Sequence, residues 1–199
     1  MLSKFQKLSM KVQYIRMLED NFAYVLYDEV TRKAAVVDPV EPEKVLEVID
    51  KLNLDLNMIL TTHHHWDHAS GNNKILSLLK KSIPVYGGDE NIQSLSKKLC
   101  HGDEIKLATM TIKALHTPCH TKGHICYFVE QKGNAPMCFT GDTLFIGKKF
   151  VAGCGRFFEG DASQMNNSLN IILKKLPMST LIYPGHEYTL SNLKVSLLS

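Results

Sequence analysis

One tract, Thr61-Thr62-His63-His64-His65-Trp66-Asp67-His68, constrains this chain more than any other stretch. It follows an apolar run from Leu56 to Leu60 and precedes a helix-like segment from Ala69 to Lys81. Four imidazoles and a carboxylate this close together are hard to explain as packing, because buried polar groups need partners. Zinc and similar cations take imidazole and carboxylate ligands. The tract therefore predicts part of a metal site at the end of a strand.

The side chains of the tract divide into two groups if its backbone is extended. Alternation then places His63, His65 and Asp67 on one side, and His64 and Trp66 on the other. The alternative is a His-rich surface tract. The position between a strand pattern and a helix pattern favours the metal site.

The composition limits the class of protein. With 199 residues, 44% hydrophobic and 22% charged, the chain fits one globular domain with a real core. The net charge of +3 is small and the lysines are scattered, so nucleic acid is not an expected partner. No run approaches the roughly 18 consecutive apolar residues of a membrane span, so no membrane partner is expected either.

The five cysteines include no C-x-x-C pair, which argues against a disulfide framework and favours a reducing compartment. The first nine residues carry Lys4 and Lys7, but they are short for an organelle-targeting segment and contain no arginine. We expect a cytoplasmic location, and a mitochondrial one stays open. The oligomeric state is not readable from the sequence, and a monomer is the working expectation.

Helical and strand periodicities alternate along the chain and predict a mixed α/β layered fold. The predicted strands are Val12–Leu18, Phe22–Tyr27, Ala34–Val37, Leu56–Thr61, Val85–Gly87, a hairpin over Glu104–His116 with its turn near Ala108-Thr109, Ile125–Glu130, Pro136–Thr140 and Leu181–Tyr183. The predicted helices are Pro42–Leu52, Ala69–Lys81, Asp89–Leu95, Asp161–Leu176 and one that begins near Thr189, with a glycine-rich loop over Gly147–Gly160.

Three further segments place His or Asp directly after a predicted strand. They are Thr117-Pro118-Cys119-His120-Thr121, Thr140-Gly141-Asp142 and Tyr183-Pro184-Gly185-His186. Ligands of α/β folds gather where strand ends face one crevice. We therefore expect these segments to meet the His63–His68 tract and to complete two metal sites.

Five motifs stand out along the chain: TTHHHWDHASGN (Thr61–Asn72), TPCHTKGHICY (Thr117–Tyr127), FTGDTLF (Phe139–Phe145), GCGRFFEG (Gly153–Gly160) and YPGHEYT (Tyr183–Thr189). Together they resemble the metallo-β-lactamase-fold hydrolases and, within them, glyoxalase II, the hydroxyacylglutathione hydrolases. The glycine-rich motif and the YPGHEYT motif are the ones that single out glyoxalase II. The similarity runs from about Met10 to the last residue.

The resemblance implies a four-layer αββα sandwich and two divalent metal ions. Zinc is the expected metal, and iron and manganese suit the same donors. The implied reaction is the hydrolysis of S-D-lactoylglutathione to D-lactate and glutathione. Asp67 and Asp142 would take part in catalysis. The implied first-site ligands are His63, His65 and His120, the second-site ligands are Asp67, His68 and His186, and Asp142 would bridge the two sites.

The resemblance also implies contacts with a small glutathione thioester from Arg156, Phe158 and Tyr188, although Phe158 lacks the hydroxyl of some relatives. It implies an N-terminal extension over residues 1–9 and a catalytic domain over 10–199. The helical substrate domain that usually follows would be largely absent. A short excess near Ile146–Phe150, where relatives run on directly, is expected to shift the substrate loop.

The chemistry is consistent with this resemblance. Two cations roughly 3.5 to 4 Å apart can share a water, lower its pKa and present a bridging hydroxide for attack on a carbonyl. A thiolate whose conjugate thiol has a pKa of about 8.5 is a tolerable leaving group. Two alternatives stay open. One is a mononuclear iron persulfide dioxygenase, and the other is a truncated metal-binding form with little catalysis.

Overall fold

The computed structural model describes residues 10–148 and 151–195, in which two mixed β-sheets lie face to face. The predicted extension over residues 1–9 lies outside the described residues, as do Lys149 and Phe150. The strands are β1 Met10–Met17, β2 Asn21–Asp28, β3 Lys33–Val37, β4 Asp55–Leu60, β5 Val85–Gly87, β6 Lys97–Lys98, β7 Glu104–Leu107, β8 Met110–His116, β9 Ile125–Glu130, β10 Met137–Gly141, β11 Phe145–Lys148, β12 Val151–Gly153 and β13 Leu181–Pro184. The α-helices are α1 Pro42–Lys51, α2 Trp66–Ala69, α3 Asn72–Leu78, α4 Ala162–Asn166 and α5 Thr189–Val195.

The first sheet has the strand order β1-β2-β3-β4-β5-β6. Strands β1, β2 and β3 pair antiparallel, whereas β3, β4, β5 and β6 run parallel. The carboxyl ends of β3 and β4 therefore lie at one edge of this sheet. The turn between β1 and β2 lies at the same edge, because β2 runs against β3.

The second sheet has the order β13-β10-β9-β8-β7. Strand β13 pairs parallel with β10, and β9 is antiparallel to both β10 and β8. Strands β8, β10 and β13 consequently point the same way. Their carboxyl ends lie at one edge, and each is followed by one of the predicted His or Asp segments.

Three apolar clusters divide the molecule into four layers, which confirms the expected αββα architecture. One cluster fills the space between the sheets and includes Leu60 and Phe139. A second lies between the first sheet and helices α1 and α3, with Val45 and Ile75 facing Val36. A third lies between the second sheet and the helical segment that begins at Ala162.

The predicted helix over Ala69–Lys81 is wrong in its bounds. The chain turns helical already at Trp66, breaks after α2, and resumes as α3 over Asn72–Leu78. The break lies at Gly71, where an added Cβ would meet the Pro39 carbonyl oxygen at 1.8 Å. This close approach needs glycine, and it docks the helices against the connection between β3 and α1.

Two further element predictions are corrected. The predicted helix over Asp89–Leu95 is a series of turns, since the Asp89 carboxylate accepts the Asn91 N–H and Ser94 has a φ of 58°. The predicted loop over Gly147–Gly160 contains strand β12 and the end of β11, which form an antiparallel hairpin. Of the predicted excess near Ile146–Phe150, residues 146–148 belong to β11, and the last two lie outside the described residues.

The predicted helix over Asp161–Leu176 is one helical segment that changes from α-helix to π-helix and then to 3₁₀-helix. Asp161 caps α4 through a reciprocal capping box with Gln164. The segment then widens into a π-helical stretch over Asn167–Ile172 and tightens over Leu173–Lys175. Within the described ranges, no helix is long and apolar enough to cross a membrane.

Tyr127 ties the two sheets together beneath the His63–His68 tract. Its fully buried hydroxyl donates to the Thr61 carbonyl at 2.9 Å and lies 3.2 Å from the Tyr86 carbonyl. Tyr127→Phe should lower the free energy of unfolding by about 1 to 3 kcal/mol, because buried carbonyls lose a partner. Denaturant unfolding measures this change. Tyr14→Phe, at a side chain that is 59% exposed, should stay within about 0.5 kcal/mol of the unmutated protein; equal effects of the two changes would contradict the prediction.

Candidate metal centre

The strand ends of both sheets bring all the predicted metal ligands into one region. His63, His65, Asp67 and His68 follow β4, and the other three follow β8, β10 and β13. The structure thus brings together the residues that the sequence predicted. The expected alternation holds only through His65, because Asp67 and His68 lie in the helical turn of α2. Their assignment as metal ligands stays a prediction.

The first predicted ligand set is a group of three imidazoles. His65 Nδ1 lies 3.1 Å from His63 Nε2 and 3.0 Å from His120 Nε2. The outer nitrogens of two rings are bonded elsewhere: His63 Nδ1 to the Thr62 hydroxyl at 3.0 Å, and His120 Nδ1 to the Arg156 carbonyl at 2.9 Å. These bonds leave the inner nitrogens of His63 and His120 as lone-pair donors.

The second predicted set is arranged in the same way. His68 Nε2 lies 3.2 Å from His186 Nε2, and the Asp67 Oδ2 atom lies 3.6 Å and 3.5 Å from these two nitrogens. The outer nitrogen of His68 donates to Asp38 at 3.0 Å, and that of His186 donates to Asp20 at 2.9 Å. Both inner nitrogens are therefore directed at the centre.

Asp142 lies between the two sets. Its Oδ2 atom is 3.3 Å from both His120 Nε2 and His186 Nε2, and its Oδ1 atom is 3.5 Å from His68 Nε2. Oδ1 is buried and has no hydrogen-bond partner among the described residues. A cation would satisfy this oxygen, and it would also satisfy the lone pairs that face it.

Asp38 organises the start of the tract. One carboxylate oxygen accepts the Thr62 N–H at 2.8 Å, and the other accepts the Thr62 hydroxyl at 2.7 Å as well as the His68 Nδ1–H. Asp38 is 2% exposed and has a positive φ of 50°. These contacts orient His68, and no side-chain hydrogen bond caps α1.

Sequence reasoning missed the turn between β1 and β2. Asp20 accepts from His186, and Asn21 Nδ2 donates to the Asp67 carboxylate at 3.0 Å. These two residues looked like ordinary turn residues. Their role depends on sheet order, which places the turn beside the end of β13, and no local pattern in the sequence carries that information.

His124 holds the Asp142 turn in place. Its Nε2 accepts the Asp142 N–H at 3.2 Å, so its Nδ1 carries the proton and faces the hydroxyls of Thr117 and Thr143, each at 3.1 Å. The preceding Gly141 has a φ of +47°, and an added Cβ would lie 2.6 Å from Thr62 Oγ1. Glycine is therefore required at this close approach.

The electrostatics of the centre favour a cation. Burial raises the pKa of Asp142, but His68, His186 and His120 outweigh it and hold this pKa well below the usual range. Burial opposes protonation of His68, yet the carboxylates of Asp142, Asp38 and Asp67 raise its pKa to about 9. Burial dominates at His120 and lowers its pKa to about 4. The centre thus holds an ionised carboxylate among closely spaced nitrogen donors.

A cleft of about 670 Å³ opens over the centre, and the three predicted substrate residues line it. Phe158 is 60% exposed and packs edge-on against His65 and His120. Tyr188 stacks on His186 with ring centroids 5.1 Å apart. The glycine-rich loop is fastened to the centre, because the Gly155 N–H donates to the Asp142 carbonyl at 2.8 Å.

The fold and the donor groups define a metallo-β-lactamase-type domain. The family model of the metallo-beta-lactamase superfamily matches residues 18–186. The crystal structure of ETHE1 from Myxococcus xanthus superimposes with a TM-score of 0.77 at 32% identity, and the match covers 90% of this chain and 76% of that one. The superfamily and the clustered His and Asp donors together support the binding of divalent metal ions.

Two curated relatives narrow the class further. The cytoplasmic hydroxyacylglutathione hydrolase of Arabidopsis thaliana is 50% identical over 191 residues, which are 94% of this chain and 72% of the relative. The hydroxyacylglutathione hydrolase of Dictyostelium discoideum is 46% identical over 93% of this chain and 69% of its own length. The chain belongs to the hydroxyacylglutathione hydrolase family of this superfamily.

Asp38→Asn should weaken the second metal site selectively. An amide has one acceptor oxygen and no negative charge, so it cannot accept from the Thr62 N–H on one side and from the Thr62 hydroxyl and His68 on the other, and His68 is held less firmly. Loss of such an outer partner typically costs 10- to 100-fold in metal affinity. Metal content after dialysis against a graded chelator should fall towards one ion per chain. Asp50→Asn, on the exposed face of α1, should leave the content unchanged. An Asp38→Asn protein with the full metal content would contradict this role.

Proposed function

We propose that this protein is a dinuclear metal-dependent thioester hydrolase that cleaves S-D-lactoylglutathione to D-lactate and glutathione. The observation that carries the proposal is the convergence of two three-residue donor sets on Asp142 at the floor of an open cleft. The names of the curated relatives support the choice of a glutathione thioester as substrate.

The proposed ligands follow the two donor sets. His63, His65 and His120 would hold one ion, Asp67, His68 and His186 the other, and Asp142 would bridge them. We propose zinc as the resident metal, with iron and manganese as alternatives that suit the same nitrogen and oxygen donors. Divalent ions at these positions supply Lewis acidity and acidify a coordinated water.

The residues of the centre support hydrolysis in distinct ways. The ionised Asp142 faces both donor sets, and Asp67 adds a second negative charge beside it. The Tyr188 hydroxyl stays protonated, since burial and the nearby carboxylates raise its pKa, with the guanidinium of Arg156 opposing them. A protonated phenol at the cleft can donate a hydrogen bond to an acyl or peptide carbonyl of the substrate.

Glutathione is an anionic tripeptide, so its site needs cationic and hydrogen-bonding groups. We propose that Arg156 and Tyr188 supply them and that Phe158 offers an apolar contact. All three line the same cleft as His120 and Asp142. A thioester bound along the glycine-rich loop would thus have its carbonyl beside the donor sets.

The mononuclear persulfide dioxygenase alternative is less well supported. One iron needs a single ligand set, whereas the second set here has its own outer partners at Asp38, Asp20 and Asn21. These outer contacts support the proposal that the second donor set also holds an ion. Oxygen uptake with glutathione persulfide at one iron per chain would support the dioxygenase instead.

The bounds of the catalytic domain and the cellular location of the protein are also proposals. We propose that the described residues form the catalytic domain. The chain spans 72% and 69% of the lengths of the two curated relatives. The name of the Arabidopsis relative supports a cytoplasmic location.

Turnover and metal content should be lost together in Asp142→Ala. The purified unmutated protein should contain about two metal ions per chain and release thiol from S-D-lactoylglutathione. Without the bridging carboxylate, kcat/KM should fall at least about 100-fold, because both ions lose a ligand. Thiol release and elemental analysis measure the two effects, and Asp50→Ala is the control. Normal turnover by Asp142→Ala would refute the bridging role. Absence of hydrolysis by the metal-loaded unmutated protein would refute the proposed function.

Arg156→Gln should affect substrate binding rather than chemistry. Its backbone carbonyl, which accepts from His120, is retained in the variant. Loss of one charge-assisted contact should raise KM roughly tenfold, the equivalent of about 1.4 kcal/mol, with kcat nearly unchanged. Steady-state kinetics over a range of substrate concentrations separate the two constants. Arg16→Gln, on the exposed part of β1, is the charge-matched control. An unchanged KM in Arg156→Gln would remove Arg156 from the substrate site.

A further inference from the structure

Three metal-ligating side chains face one another outside the centre. They are His64, Asp89 and Glu159. His64 Nδ1 lies 2.7 Å from Asp89 Oδ2, and His64 Nε2 lies 3.9 Å from Glu159 Oε1. One donor atom from each residue can be chosen so that all three lie within 4.8 Å of one another.

The three residues belong to three different parts of the fold. His64 is in the His63–His68 tract but is turned away from the centre, as the sequence predicted for it. Asp89 follows β5, and Glu159 lies near the end of the glycine-rich loop. The side chains of His64, Asp89 and Glu159 are 20%, 12% and 33% exposed, respectively, so the group is partly accessible to solvent.

Each carboxylate is held by the backbone through one oxygen. Asp89 Oδ1 accepts the Asn91 N–H at 2.9 Å, and Glu159 Oε2 accepts the Lys122 N–H at 2.6 Å. The second oxygen of each carboxylate faces His64. Asp89 Oδ2 faces Nδ1 and Glu159 Oε1 faces Nε2, so the two oxygens flank the ring, and one ring nitrogen lies within 4.8 Å of both.

The group has an excess of negative charge. Within the part of the chain that the structure describes, the ion pairs of Asp89 and Glu159 are both with His64, and neither involves lysine or arginine. Burial opposes ionisation of Asp89, but the Asn91 N–H and His64 lower its pKa below the usual range. Two carboxylates thus share one imidazole.

From this geometry we propose a third divalent-cation site formed by His64, Asp89 and Glu159. One nitrogen and two oxygen donors suit manganese, iron and zinc. Bonds of about 2.1 Å to a tetrahedral ion require ligand atoms about 3.4 Å apart, so the donors need to move by no more than about 1.4 Å. Water completes the coordination, and the site binds more weakly than a centre with four protein ligands per ion.

An ion at this site would fasten the glycine-rich loop to the His63–His68 tract. Glu159 is three residues beyond Arg156, so the ion would restrict the loop that carries the proposed substrate contacts. This consequence rests on the proposed function, whereas the site itself does not. The test therefore measures metal binding and leaves hydrolysis aside.

The experiment counts ions in the full chain. The protein is loaded with zinc and desalted so that weakly held zinc is lost, and it is then titrated with Mn²⁺. Manganese binds less tightly than zinc to such donors and does not displace it from the centre. Free Mn²⁺ is followed by its electron paramagnetic resonance signal, and retained zinc by elemental analysis. The sum of zinc and manganese should be three per chain in the unmutated protein.

Two variants remove one donor each from different segments. Glu159→Gln keeps an oxygen for the Lys122 N–H, and Asp89→Asn keeps one for the Asn91 N–H. Each should weaken binding of the third ion at least about tenfold, with the desalted zinc content unchanged. Glu90→Gln is the matched control, because it removes a nearby carboxylate that pairs with Lys98. That variant should still bind three ions.

The proposal is overturned if the unmutated protein, at saturation, binds no more ions per chain than Glu159→Gln and Asp89→Asn do. It is also overturned if Glu159→Gln and Asp89→Asn, with normal zinc content, bind the third ion as tightly as the unmutated protein. Loss of the third ion in Glu90→Gln alone would move the site to Glu90 and overturn the assignment as well.

Discussion

The centre depends on one constraint, which is that a buried imidazole can direct a lone pair inward only if its other nitrogen is bonded outward. Four of the five imidazoles proposed as ligands have such an outward bond, from His63, His68, His120 and His186 to Thr62, Asp38, Arg156 and Asp20. These bonds fix both the tautomer and the ring orientation. Without them, closely spaced nitrogens in a buried site would compete for protons instead of sharing a cation.

The sheet topology supplies these outward partners as well as the ligands. Parallel strands in each sheet bring five chain segments to one edge, and the antiparallel β1–β2 turn adds Asp20 and Asn21. Three of these outer partners come from segments other than those that carry the histidines they hold; Thr62, which directly precedes His63, is the exception. A change in strand order would therefore separate ligands from their supports even if every ligand stayed at a strand end.

The pattern of His and Asp directly after strands predicted which residues converge at the centre, and the family resemblance implied the four-layer fold. The sequence did not predict the Asp20 contact with His186 or the His64 contacts with Asp89 and Glu159, since these join segments that are distant along the chain. The helix errors have different origins. The interruption near Gly71 lies where the backbone meets Pro39, which is distant along the chain, whereas the Asp89 carboxylate bonds the Asn91 N–H locally and favours a turn.

The β1–β2 turn has a consequence for how the molecule is assembled. Asp20 and Asn21 lie 166 and 165 positions from His186 along the chain, yet they contact it directly. A chain leaving the ribosome has all three imidazoles of the first set once residue 120 has emerged, whereas the second set waits for residue 186. The two proposed donor sets are thus completed at different times during synthesis, the first before the second.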